Sequence, residues 1–246
     1  MQLDRLSIEL TNACSKACSF CYNASHPEGA TAWTPAEVVA FVTDCAQHGI
    51  AAASLGGGEP LQYPGLYDVL AALDGVVFRS FTTNGLLLDA AMPEVVAARP
   101  DKVHVSLHFP GHEREVARVV RQVAALHAAG VTSGINLLVR ASELDAATAA
   151  ARAIADAGIG PERVMYLPMR GADTPTPRQL ARVAGGPRFQ SMTCLMGCGK
   201  SPRFASVGWD KRVAWCSYTI TRRRLPSLDW AGLTAAMTGL GLAFCG

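Results

Sequence analysis

Three cysteines, Cys14, Cys18 and Cys21, stand within eight residues in the stretch "ELTNACSKACSFCYNAS". Thiols at that density serve a metal more readily than a core. A structural zinc site closes a tetrahedron with four protein ligands, so this C-x3-C-x2-C run leaves it one short. A [4Fe–4S] cluster takes one thiolate per iron, and three thiolates leave one iron open to another ligand. The short spacing suits a cluster, because one loop must present every thiolate to one small cube. On spacing alone, a zinc site completed from elsewhere in the chain stays open.

A second stretch, "SLGGGEPLQYPGL", carries Gly57, Gly58 and Glu59. Glycines let backbone groups approach a neighbour closely, and a carboxylate can pair with a ligand ammonium. The run is neither G-x-G-x-x-G nor a P-loop with its Lys and Ser/Thr, so both nucleotide-binding readings fall away. Two more segments, "TTNG" and "SLHFPG", follow apolar runs further on.

The C-x3-C-x2-C run with Phe20 directly before its third cysteine, followed by Gly-Gly-Glu-Pro, resembles the radical S-adenosylmethionine (radical SAM) family. The resemblance implies that Cys14, Cys18 and Cys21 hold a [4Fe–4S] cluster whose open iron is chelated by SAM. The reduced cluster of that family cleaves SAM to a 5′-deoxyadenosyl radical, which abstracts a substrate hydrogen. Phe20 falls among the implied SAM contacts. Gly57, Gly58 and Glu59 would hold the SAM amino group, with Thr83, Asn84 and Ser106 near its ribose and carboxylate. Asn84-Gly85 is also an ordinary turn dipeptide, and Ser106 could satisfy a local backbone group. Where many relatives read "SLDG", this chain reads "SLHF", so His108 stands in place of an acid, either facing substrate or on the rim. Asn136 and Arg170, near the ends of the fifth and sixth strands, are pocket candidates from topology alone.

A second cysteine set, Cys194, Cys198, Cys216 and Cys245, closes the chain. Four thiols complete a [4Fe–4S] cluster with no open iron, or a zinc site. The arms "RFASVG" and "RVAWCS" read as a hairpin around Trp209-Asp210 that would bring Cys198 and Cys216 together. This part resembles the auxiliary-cluster extensions of radical SAM enzymes, the twitch type more than the longer SPASM type. The run of closely spaced cysteines that completes SPASM domains is missing, and Lys211 replaces the glycine usual five residues before the second cysteine. A second [4Fe–4S] cluster is the implied cofactor, with free thiols or zinc as the alternative. Cys45 lies at an apolar position of a helical stretch and reads as core.

The elements that must position these residues alternate. "RLSIEL" is a strand that runs into the first cysteines. "TPAEVVAFVTDCAQHG" is a helix with Thr34 as cap, Pro35 in the first turn and Gly49 as stop. Strand and helix then alternate through "RVMYLPM", giving six repeats of parallel βαβ character. The expected fold is α/β: a partial (β/α)6, TIM-like barrel over residues 1–186, then a small cysteine-rich hairpin and helix region over 187–246. In a parallel barrel the site lies at the carboxyl ends of the strands, where the cysteine loop falls.

The chain has 246 residues, enough for one sizeable core or a barrel with a small appendix. With 22 basic and 20 acidic residues, its charge balance makes no case for nucleic acid or an anionic membrane. The basic run Arg222 to Arg224 is a solvated surface or a contact to an anionic substrate group. No apolar window is long enough for a membrane helix or a signal peptide, so a cytoplasmic protein is expected, where cysteines serve as metal ligands or thiols. The resemblance implies an external electron donor of flavodoxin or ferredoxin type. The substrate expected is a ribosomally made peptide, crosslinked, epimerised or oxidised. A small metabolite, dehydrogenated or rearranged, is the alternative. The first strand begins within five residues of the start, which weakens a self-sufficient peptide maturase, though a leader-peptide-binding module can be a separate protein. A glycyl-radical activator and a non-enzymatic iron–sulfur carrier or zinc module fit less well, since the first lacks such a hairpin and the others have no use for the Gly-Gly-Glu-Pro turn.

Overall fold

The computed structural model describes residues 2–186, 195, 196, 199, 201 and 203–243. Their contacts form two compact units, one drawn from Met1–Lys102 and Lys200–Phe244, the other from Val103–Gly199. The fold is α/β, parallel strands alternating with helices, as the sequence pattern predicts.

The first unit begins with β1 (Arg5–Thr11), α1 (Pro35–Gln47) and β2 (Ala52–Gly57). It continues with α2 (Leu66–Ala72), β3 (Phe78–Thr83) and α3 (Leu88–Ala98). The second unit holds β4 (Lys102–Leu107), α4 (Glu113–Ala128) and β5 (Ser133–Val139). It closes with α5 (Leu144–Asp156), β6 (Val164–Pro168) and α6 (Pro177–Val183). The chain then returns to the first unit for β7 (Phe204–Val207), β8 (Arg212–Ala214), β9 (Arg223–Arg224) and α7 (Trp230–Met237).

Local chemistry explains these elements. Thr34 caps α1 in a reciprocal box with Glu37, Pro35 opens the helix, and Gly49 takes φ 104° just past its end. The buried stripe of α1 is Val38, Phe41, Val42 and Cys45, a helical period against the sheet. Every residue of β5 is buried, as a parallel strand covered on both faces requires.

In the first unit β1 pairs in parallel with β2 on one side and with β7 on the other. The returning segment therefore adds strands to the sheet that carries the first cysteines. The expected hairpin is present as β7 and β8, antiparallel with Ser206 opposite Ala214 and Val207 opposite Val213. Gly208 N–H donates to the Arg212 carbonyl at 2.7 Å and Lys211 N–H to the Gly208 carbonyl at 2.9 Å. Lys211 takes φ 62°, the left-handed region. That explains why glycine is usual there: the turn demands the conformation, and this chain makes a lysine adopt it.

Lys211 gains compensating contacts. Its Nζ lies 2.7 Å from Glu37 Oε1 and 5.2 Å from the centre of the Trp33 ring, while Trp33 Nε1–H donates to the Gly208 carbonyl at 3.0 Å. Lys211's hydrogen bond, helped by the Thr34 amide, pulls the Glu37 carboxyl down to about 2. A depressed carboxyl contributes stability above its ordinary value of 4.5 and loses it as pH falls toward 2. Urea unfolding of cluster-free protein should therefore lose more stability across that interval than Glu37→Gln does, by about 1 kcal/mol at most because the pair is part exposed. Identical pH slopes would refute the coupling.

Among the described residues no helix is long and apolar enough to cross a membrane.

Candidate active site

β1 ends at Thr11, and the loop that follows is fastened to itself before it reaches its thiols. Asn12 N–H donates to the Ala30 carbonyl at 3.0 Å, while Ala30 N–H donates to Asn12 Oδ1 at 2.6 Å. Cys14 N–H donates to the His26 carbonyl at 2.9 Å. Cys18 and Cys21 sit in consecutive tight turns, with Cys21 N–H on the Cys18 carbonyl and Ala24 N–H on the Cys21 carbonyl, each at 3.0 Å. Ala17 and Ala24 flank that segment at φ 45° and 47°, a left-handed conformation that costs alanine about 1–2 kcal/mol each. Strain of this kind persists where surrounding structure imposes it, and functional sites are common hosts. Cys14 is buried, while Cys18, Phe20 and Cys21 are half-buried.

The glycine turn after β2 presses directly on this loop. Gly58 N–H donates to the Thr11 carbonyl at 2.6 Å and Glu59 N–H to the Ala13 carbonyl at 2.8 Å. A Cβ on Gly58 would stand 2.1 Å from the Ala13 carbonyl oxygen. Gly57 has φ 108°, and a Cβ there would stand 2.4 Å from the Thr11 carbonyl oxygen. Gln62 Oε1 also accepts from Ser15 N–H at 2.8 Å. The glycines thus provide the close approach their sequence suggests, and the approached group is the root of the cysteine loop.

Glu59 is fully buried. Its carboxylate accepts from Thr83 Oγ1 at 2.7 Å, Asn84 N–H at 2.8 Å and Leu61 N–H at 3.1 Å. Burial raises its pKa above the ordinary carboxylate value and outweighs the lowering by these donors. Asn84 in turn donates from Nδ2 to Cys14 Sγ at 3.5 Å. A hydrogen-bonded chain therefore runs from the end of β2 through the end of β3 to the first cysteine. Asn84 also forms the ordinary turn, accepting Leu86 N–H on Oδ1 at 2.8 Å. Glu59 has three protein donors on the roughly four acceptor positions of a carboxylate, so a ligand ammonium could meet it only at the fourth.

In the second unit, Ser106 on β4 pairs in register with Asn136 on β5, and both are buried. Asn136 lies mid-strand instead of near the strand end, with Oδ1 2.7 Å from His104 Nδ1. His108 follows β4, and its backbone N–H donates to Glu115 Oε1 at 2.8 Å. Arg170 follows β6 and leads into a 3-10 turn, Gly171–Asp173.

Of the second cysteine set, Cys194, Cys198 and Cys245 lie outside the described residues. Cys216 follows β8, where its Sγ accepts Tyr218 N–H at 3.4 Å. Around it stand residues that sequence reading missed. Glu9, on β1 and only 1% exposed, meets Arg222 at 3.0 and 3.2 Å, and Arg222 also donates to the Ser217 carbonyl at 2.7 Å. Burial raises the Glu9 carboxyl despite the opposing Arg222 charge. Arg223 binds the carbonyls of Ala236 and Thr238 at the end of α7. Two arginines of the basic run are therefore ties within this unit. The one sequence signal was Glu9 itself, the single acid of β1, set between Ile8 and Leu10.

The Radical SAM superfamily model matches residues 8–169, from β1 to just past β6. The chain belongs to the radical SAM superfamily. It is thereby an enzyme, and the family implies a [4Fe–4S] cluster and SAM as its cofactors. Among curated proteins, a probable GTP 3′,8-cyclase of Methanocella arvoryzae is 33% identical over 113 residues, 46% of this chain and 37% of that one. A GTP 3′,8-cyclase of Clostridium perfringens is 29% identical over 126 residues, 48% of this chain and 39% of its own length. The chain thus matches well under half the length of these relatives.

Solved structures share the fold along more of the chain. Streptococcus suis SuiB bound to the precursor peptide SuiA superposes with TM-score 0.73 over 90% of this chain and 62% of that one, at 13% identity. Native anSMEcpe with bound AdoMet and the Cp18Cys peptide gives 0.66 over 93% and 80%, at 14% identity.

The donor set fits a radical SAM cluster. Three thiols stand on one loop, an amide N–H reaches the first of them, and the glycine turn leaves no room for side chains at the loop's root. Among the described residues no three His, Cys, Asp or Glu side chains converge on one metal ion, and thiolates serving separate irons need no such point. Cys45 is different in kind: it is fully buried in α1, and burial pushes its thiol up to about 12, so it stays protonated.

Proposed function

We propose that this radical SAM enzyme modifies a ribosomally made peptide, with Cys194, Cys198, Cys216 and Cys245 holding a second [4Fe–4S] cluster that assists an oxidation. When bound, the cluster at Cys14, Cys18 and Cys21 supplies the electron that cleaves SAM and starts hydrogen abstraction. The chain's own part is binding and orientation. Gly57 and Gly58 bring backbone groups to the SAM amino group, while Glu59 holds Thr83 and Asn84 in place and offers its remaining acceptor position. Phe20 and Ser106 complete the SAM contacts, with His108, Asn136 and Arg170 toward substrate. Residues 1–186 carry this machinery and residues 187–246 the second cluster. An external flavodoxin- or ferredoxin-type donor supplies electrons in the cytoplasm.

The observation that carries this reading is the extent of the likeness to SuiB and anSMEcpe. It covers 90% and 93% of this chain, more than residues 1–186 alone could supply. Cys216 in its built turn, on a hairpin paired to β1, is in keeping with a second site. The sequence matches to GTP 3′,8-cyclases favour a second reading, a small nucleotide substrate.

Two measurements test the proposal. Iron per chain after anaerobic reconstitution should fall from about eight to about four in Cys198→Ala/Cys216→Ala, if each cluster holds four. An unchanged count would remove the second cluster. Release of 5′-deoxyadenosine should rise with unmodified precursor peptides and stay at background with GTP; the reverse pattern would replace the peptide by a nucleotide.

A further inference from the structure

The third cysteine of the loop is followed at once by Tyr22. Tyr22 is 46% exposed as a residue, so it is not a core side chain. The ring packs on Tyr218, with centroids 4.7 Å apart and planes tilted by 45°. Tyr218 belongs to the turn that Cys216 begins.

That turn is a firm platform. Tyr218 N–H donates to Cys216 Sγ at 3.4 Å and Thr219 N–H to the Cys216 carbonyl at 3.3 Å. Ser217 Oγ lies 2.9 Å from Ser206 Oγ on β7, and the Ser217 carbonyl is held by Arg222. Arg222 is locked to buried Glu9 on β1, the strand that delivers the cysteine loop. Thr219 Oγ1–H donates to the Ala243 carbonyl at 2.8 Å. The first cysteine is fixed by backbone and side-chain bonds close to β1. The third lies seven residues further along a loop that turns on itself, where small shifts accumulate.

We propose that Tyr22 and Tyr218 form an aromatic latch that seats the Cys21 end of the cysteine loop on the Cys216 turn, making both tyrosines positioning residues for the iron–sulfur centre at Cys14, Cys18 and Cys21. The inference rests on the reading that these cysteines hold the cluster, and it needs no cluster at Cys216. The two rings attract through contact area and their quadrupoles, so phenylalanine should replace either tyrosine and alanine neither.

The test uses a Cys194→Ala/Cys198→Ala parent, which leaves the Cys216 turn intact and confines iron to the first site. Iron release to a chelator should be about tenfold faster in Tyr218→Ala, the size of effect that outer-shell partners have on metal retention. The electron paramagnetic resonance spectrum of the reduced cluster should broaden on the same substitution, with unchanged far-ultraviolet circular dichroism. Tyr218→Phe should restore both readouts, and Tyr22→Leu should reproduce the alanine effect without adding to it in the double variant. Parental release rate and spectrum in Tyr218→Ala would overturn the latch alone. A parent that takes up no iron would overturn the cluster reading, and the latch with it.

Discussion

Gly58→Ala should lower 5′-deoxyadenosine formation by about a hundredfold or more and strip iron from the first site, because a displacement of about 1 Å at a reacting centre costs that much. The added methyl carbon has nowhere to go. It would lie 2.1 Å from the Ala13 carbonyl oxygen and 2.8 Å from the Ala13 carbonyl carbon, both backbone atoms one residue before Cys14. Backbone cannot rotate aside as a side chain can, so the loop root or the turn must move. Gly57→Ala adds a second penalty, since its φ of 108° is foreign to alanine. Gly56 is the internal control. It stands in the same glycine run, a methyl group added there would meet nothing within 4 Å, and Gly56→Ala should keep wild-type yield and iron. Equal behaviour of Gly56→Ala and Gly58→Ala would show that the contact with the cysteine loop is irrelevant.

Glu59→Ala should be the most destabilising change in this part of the chain, by about 3–5 kcal/mol in urea unfolding, since several buried donors lose their acceptor at once. The stranded groups are the Thr83 hydroxyl and the N–H groups of Asn84 and Leu61. The damage should reach the cluster too, because Asn84 is then no longer fixed beside Cys14. Glu59→Gln offers one carbonyl oxygen where the carboxylate offers two, so its loss should be intermediate. The pH dependence has a defined sign. Burial raises the folded-state pKa, so the protonated form is favoured in the fold. Stability from this group is fullest below the ordinary value of 4.5 and declines as pH climbs through the raised one. Glu59→Gln should flatten that decline. An alanine variant with wild-type stability would mean that the buried network holds nothing together.

The strand and helix alternation, the α1 cap, the hairpin and the close backbone approach at Gly57 and Gly58 were legible in the sequence because each rests on local chemistry: period, cap, turn and the lack of a side chain. What was not legible needs distance. Glu9 and Arg222 are separated by nearly the whole chain, and nothing local marks them as partners. Nothing beside Glu59 in the sequence shows that its carboxylate also gathers three protein donors, from Thr83, Asn84 and Leu61. Lys211 reads as a departure from a glycine position, and only its φ of 62° reveals that the conformation was kept while the residue changed. Tyr22 and Tyr218 look like ordinary neighbours of cysteines until their rings are found in contact.

Three thiols sharing one iron–sulfur cube, with an open corner for SAM, underlie all of the proposed chemistry. The most direct test is anaerobic: reconstitute the protein with iron and sulfide, reduce it with dithionite, add SAM and quantify 5′-deoxyadenosine, with Cys14→Ala/Cys18→Ala/Cys21→Ala in parallel. The brown wild-type protein should release 5′-deoxyadenosine and the triple variant none. A wild-type protein that takes up only zinc, or a triple variant that still cleaves SAM, would contradict it.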